Sequence, residues 1–100
     1  MTLLTVILNW RTPAMTLQAA EAALTALDGI PGALTIVDND SGDGSFDALV
    51  AGVTAHGWPR VRVLQSGRNG GFGAGNNFGI RAGLADGGRP THVYILNSDA

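Results

Sequence analysis

Thr2-Leu3-Leu4-Thr5-Val6-Ile7-Leu8-Asn9 is a nearly unbroken apolar run rich in β-branched residues. A strand with one wet face alternates, whereas a strand covered on both faces reads continuously, so this run predicts the interior of a parallel sheet. The remaining chain repeats the theme. Thr12 before Pro13 offers an N-cap and a preset first helical position, and Leu17, Ala20, Leu24 and Leu27 then fall at helical spacing until Gly29 and Pro31. Ala33 to Val37 is a second buried strand. Phe46, Leu49, Val50 and Val53 mark a second helix, capped by Ser45 and closed near Gly57. Val61 to Leu64, with Arg60 and Arg62, suits a short edge strand. The glycine- and asparagine-rich segment from Gly67 to Asn77 leads into a third helix running to about Ala85, and His92 to Leu96 is a fourth strand.

The resulting β-α-β-α-β-α-β pattern specifies an α/β fold, an open parallel sheet with right-handed crossovers and helices on both faces. The usual order, 3-2-1-4, places strand 4 beside strand 1 and a topological switch point between their carboxyl ends, where ligands bind in such sheets. Asn9, Asp38, Asp40, Asn97 and Asp99 all fall at strand ends on that rim.

Composition narrows what the rim serves. One hundred residues, 45% hydrophobic with a net charge of -2, make a single domain over residues 1–100. The chain has no cysteine, which excludes a disulfide scaffold and a thiol nucleophile, and no lysine, which excludes a P-loop or Schiff base. Its six basic residues are scattered arginines, so nucleic acid is not an expected partner. Apolar runs fall far short of the ~20 residues that cross a bilayer, and no signal peptide is legible. Cytoplasmic residence is the expectation, with the complete protein peripheral to the inner face of a membrane.

Three motif readings compete with plain turn chemistry. Asp38, Asp40 and Asp43 do not make an EF-hand, because Gly42, Asp43 and Leu49 occupy its fifth, sixth and twelfth positions. Asp38-Asn39-Asp40 after a strand would begin an aspartyl-nucleophile phosphatase, but Gly42 stands where threonine or valine belongs and the motif follows strand 2. The segment Gly70-Gly71-Phe72-Gly73-Ala74-Gly75-Asn76-Asn77 fits no G-x-G-x-x-G frame, which disfavours a nicotinamide cofactor. Its glycines permit either close approach of an anion to a helix start or close helix packing. Trp10 and Trp58 are expected to cover core edges, and neither His56 nor His92 has a nucleophile near it.

Four motifs in order give the chain a resemblance. Val6-Ile7-Leu8-Asn9-Trp10, Val37-Asp38-Asn39-Asp40-Ser41-Gly42-Asp43-Gly44-Ser45, Asn69-Gly70-Gly71-Phe72-Gly73-Ala74-Gly75-Asn76-Asn77-Phe78-Gly79-Ile80 and Leu96-Asn97-Ser98-Asp99 together resemble family 2 glycosyltransferases, especially the rhamnosyltransferase-like branch. The resemblance implies the N-terminal, nucleotide-sugar-binding half of a GT-A Rossmann-like fold and transfer of a sugar, with inversion, from a nucleotide-diphosphate sugar to an acceptor hydroxyl. It implies that Asp38 bonds the base or ribose, that Asn9, Asp40, Gly71, Asn77 and Asn97 line the same pocket, and that Asp99 holds Mg²⁺ or Mn²⁺ against the diphosphate. Asn97 stands where the family's metal motif has its first aspartate, and Asn76 where many members carry arginine. A dTDP-rhamnose donor and a saccharide or lipid-linked acceptor follow from the same branch. The catalytic base and acceptor half would lie beyond residue 100, so these residues alone are expected to be inactive. The alternative is a non-catalytic remnant or interaction module of the same fold.

Overall fold

A computed structural model describes residues 2–67, 71–84 and 88–97. Its elements are β1 (Leu3–Asn9), α1 (Pro13–Ala26), β2 (Gly32–Asp38), α2 (Ser45–His56), β3 (Val61–Gln65), α3 (Phe72–Ala82) and β4 (His92–Asn97). The strands form one parallel sheet in the order β3-β2-β1-β4, as the sequence predicts. Leu3 pairs with Gly32 and Asn9 with Asp38, so β1 and β2 end level and deliver their polar residues to the same rim.

The two covered faces explain the unbroken apolar run of β1. Strand side chains alternate, so Ile7, Leu34, Ile36 and Val61 meet α1 and α2 through Ala19, Ala20, Ala23 and Leu49. Leu4, Val6, Leu8 and Val37 point the other way and pack with Ile80 of α3. Each fully buried Leu or Ile contributes about 1.5–3 kcal/mol of transfer free energy. α3 approaches closely because Gly75 and Gly79, one helical turn apart, face the sheet. A Cβ on Gly75 would stand 2.3 Å from Leu8 Cδ1, and one on Gly79 would stand 2.8 Å from Val6 Cγ1 and 3.0 Å from Val37 Cγ2. At these two positions the glycines serve packing.

Several local expectations are corrected. The buried face of α1 is Thr16, Ala19, Ala20 and Ala23, with Leu17 and Leu24 only partly buried, because small residues let the helix lie close to the sheet. α1 ends at Ala26, before Gly29. Ser45 does not cap α2; it is the first helical residue, Gly44 holds the cap position, and Asp43 supplies the acceptor. Val50 and Trp10 are exposed, whereas Trp58 does pack at the core edge. α3 ends at Ala82 with a turn at Gly83, and Ala85 lies outside the described residues.

Candidate functional site

The rim is built on a buried polar pair. Asn9 and Asp38 are opposed by strand register, and the Asn9 Nδ2 group donates to Asp38 Oδ1 at 2.9 Å. Asn9 Oδ1 accepts from Thr16 Oγ1 at 2.7 Å and from Thr12 Oγ1 at 3.4 Å, tying the start of α1 to the end of β1. Asp38 is only 1% exposed. A carboxylate in that position persists when hydrogen bonds replace its water. Oδ1 also accepts from Ser41 Oγ at 2.6 Å, while Oδ2 accepts from Gln65 Nε2 at 2.9 Å and, at a long 3.5 Å, from the Ser41 N–H. Only that last contact is weak.

The loops over this pair are fastened to each other. Arg11, in a left-handed conformation, donates its N–H to Ser41 Oγ at 2.8 Å and its Nε–H to Ser41 O at 3.1 Å. Its guanidinium lies 4.7 Å from the centre of the Trp10 ring. On the opposite face of the sheet, Asn39 Nδ2 donates to Gly71 O at 3.2 Å and Oδ1 accepts from Ser66 Oγ at 2.9 Å. Gln65 Oε1 accepts from the N–H groups of Asp40, 3.0 Å, and Gly67, 3.1 Å. Asp43 Oδ1 accepts from Ser45 Oγ and Ser45 N–H at the start of α2, and the Ser45 hydroxyl bond is the main cause that holds its carboxyl below the usual value.

The structure thus brings Asn9, Asp38, Asp40 and Gly71 to one end of the sheet. Asn9 and Asp38 lie beneath the loop surface, Asp40 is exposed with its backbone at φ 58°, and Gly71 holds the N-cap of α3 at φ 89°, a conformation suited to glycine. Asn77 is an exposed residue of α3, and its neighbour Asn76 is 4% exposed with a buried Oδ1 that has no hydrogen-bond partner among the described residues. Asn97 ends β4 opposite Leu8. Asp99 lies outside the described residues.

Ser41, Gln65, Asn39 and Thr16 complete the arrangement; Asn39 and Ser41 lie inside the motif after strand 2 without a role assigned to them there, and Gln65 and Thr16 lie outside every motif. Thr16 carries one faint signal, a hydroxyl one turn into a helix whose cap is also threonine. Beside the rim, a cleft of about 290 Å³ between α3 and the end of β3 is lined by Asn39, Ser66, Ala74, Phe78, Arg81 and Ala82. It lies on the α3 side of the sheet, across from the Asp38 carboxylate.

What this set offers chemically is hydrogen bonding. Among the described residues no three His, Asp or Glu side chains converge to hold a metal ion; Asp38 commits both oxygens to internal donors and Asp43 commits one. An aspartyl nucleophile needs an open approach to its oxygen, and Asp38 is enclosed.

The sequence matches no family model and no curated protein. Its fold matches that of a solved glycosyltransferase, the mannosyltransferase of Pyrobaculum calidifontis in complex with GDP-mannose and Mn²⁺, with a TM-score of 0.75 and 15% identity. The match covers 98% of this chain and 27% of the mannosyltransferase. No helix among the described residues is long and apolar enough to cross a membrane.

Proposed function

We propose that this chain forms the nucleotide-sugar-binding part of a metal-dependent, inverting glycosyltransferase of family 2, in its rhamnosyltransferase-like branch. The observation that carries the reading is the buried Asn9–Asp38 pair at the carboxyl end of a 3-2-1-4 sheet whose fold is shared with a GDP-mannose-binding glycosyltransferase. Asp38 has one oxygen position occupied only by the long Ser41 N–H contact, and a base or ribose donor takes that position in place of the Ser41 N–H. Asn9 holds the carboxylate from below. Asp40, Gly71, Asn77 and Asn97 line the pocket around the sugar diphosphate, and Trp10 offers an exposed aromatic surface at its mouth. Asp99 is the residue proposed to hold the Mg²⁺ or Mn²⁺ that neutralises the diphosphate as the sugar–oxygen bond breaks. A dTDP-sugar is the proposed donor, and a saccharide or lipid-linked hydroxyl the acceptor.

The test is the melting temperature with dTDP, UDP or GDP, each with and without Mn²⁺. A ligand at one hundred times its Kd stabilises by about 2.7 kcal/mol, roughly 10 °C or more for a domain of this size. Asp99→Ala should abolish the Mn²⁺-dependent part of the shift. Unchanged melting with all three nucleotides and Mn²⁺ sinks the proposal.

One observation favours a second reading, a non-catalytic module of the same fold. Val93, Tyr94 and Ile95 are each more than 40% exposed although they alternate between the two faces of β4, which makes that edge a surface for association. Nucleotide binding separates the readings: a chain that binds nucleotide, associated or not, excludes the second, and one that associates in size-exclusion chromatography but binds none of the three favours it.

A further inference from the structure

Gln65 ends β3 directly opposite Asp38, and side chains at paired positions of parallel strands project to the same face. Three of the four hydrogen-bonding positions of its amide are used. Nε2 donates to Asp38 Oδ2, and Oε1 accepts two backbone N–H groups, those of Asp40 and Gly67. The orientation of the amide is fixed by this set, since the reverse would set its NH₂ against two donors and its oxygen against a carboxylate. Both backbone partners sit at left-handed residues, φ 58° at Asp40 and 82° at Gly67, where the chain leaves β2 and β3. One side chain therefore fixes the carboxylate rotamer of Asp38 and the exit path of two loops.

We propose that Gln65 is a positioning residue for nucleotide binding, acting through Asp38 and the Asp40 backbone. The inference rests on the function proposed above. A preset acceptor binds more tightly than one that must be ordered at the moment of association, and Gln65 is itself exposed, so its contribution falls on the rim more than on the core. Only an amide satisfies all three partners. Methionine has a similar length but supplies no donor, and glutamate turns the donor into a second carboxylate facing Asp38.

The experiment compares the unsubstituted chain with Q65M and Q65E, measuring dTDP affinity with Mn²⁺ by calorimetry, unliganded melting, and amide hydrogen exchange at Asp40 and Gly67. For Q65M, faster exchange at both amides, an affinity about tenfold weaker and a modest fall in melting are expected, since Asp38 loses one of its donors and two exposed backbone N–H groups turn to water. Q65E should bind weakly at pH 7 and recover as pH falls toward 5, because protonation of the introduced carboxyl restores the donor to Asp38. Asp38 and Asp40 are the titratable groups beside it among the described residues, and the unsubstituted chain and Q65M lack that recovery. A purely structural role predicts lowered melting without it. If the unsubstituted chain binds dTDP and Q65M binds it equally well, or if exchange is unchanged in Q65M, this inference is overturned while the function stands. If the unsubstituted chain binds neither dTDP, UDP nor GDP, the function fails and takes the inference with it.

Discussion

Asn9 and Asp38 face each other across the last register position of β1 and β2, joined by a 2.9 Å amide-to-carboxylate hydrogen bond from which water is excluded. Each is oriented from its far side, Asn9 by Thr16 and Asp38 by Ser41 and Gln65. Removing Asn9 leaves Asp38 short of a donor and Thr16 without its acceptor. Asn9→Ala should cost about 2–3 kcal/mol, read as a Tm lower by roughly 10 °C or more.

Asn9→Asp tests the same contact with a sign. Two carboxylates at this distance share a proton, which raises the folded pKa of the pair above its unfolded value. The folded state of the variant then binds more protons than the unfolded chain, so its stability falls as pH rises through that raised pKa. Denaturant titrations of N9D at pH 5 and pH 8 should show the lower midpoint at pH 8. Equal midpoints would mean that the two side chains are not in contact.

The packing of α3 separates two glycines of one helix. Gly79→Ala places a methyl group against the stiff, β-branched Val6 and Val37, whose Cγ atoms lie 2.8 and 3.0 Å away. Overpacking costs about 1–3 kcal/mol, and the helix-propensity gain of about 1 kcal/mol offsets only part of it. Gly73 lies on the same helix with nothing within 4 Å of its added Cβ, so Gly73→Ala keeps the propensity gain alone. Tm should fall in the first variant and rise in the second.

How much of this was legible in the sequence depends on whether a residue speaks through its neighbours in the chain or through distant ones. Both covered faces follow from the apolar runs at Thr2 to Asn9 and Ala33 to Val37, because burial on two faces leaves a continuous pattern, and the strand order follows only from the usual arrangement of such βαβ repeats. The rim residues Asn9 and Asp38 were legible as strand ends. Their enclosure was not, since it depends on Ser41, Thr16 and Gln65 closing over them. Gln65 is 27 positions from Asp38, and a lone glutamine after a strand carries no compositional signal. The glycines of α3 were open between ligand approach and packing, and the Cβ clearances at Gly75 and Gly79 identify them as packing positions.

The start of α2 turns on Asp43. Its carboxylate accepts from the hydroxyl and N–H of Ser45, and the hydroxyl bond leads in lowering its pKa from 3.8. A depressed folded pKa contributes stability above the unfolded value that is lost as pH falls through the folded one. Asp43→Ala should therefore melt below the unsubstituted chain at pH 7, and the gap should narrow once pH drops beneath 3.8. A gap that is constant from pH 7 to pH 2.5 would assign the effect to something other than this charge.

The two edges of the sheet are unequally protected. β3 carries Arg62, which donates to Thr35 Oγ1 and to the Gly83 carbonyl where α3 ends, so that edge strand holds a cation. β4 reads His92-Val93-Tyr94-Ile95-Leu96-Asn97, without lysine, arginine, acid or proline, and three successive residues expose apolar area on alternating faces. An uncharged edge with unpaired backbone groups is a template for another strand. Ile95→Lys adds a charge at the middle of that edge and removes a side chain already 43% exposed, so it should cost little stability. The expected result is concentration-dependent association of the unsubstituted chain in sedimentation velocity and its loss in I95K, with Tm nearly unchanged. If both sediment as monomers at every concentration, β4 is not an associating edge in solution.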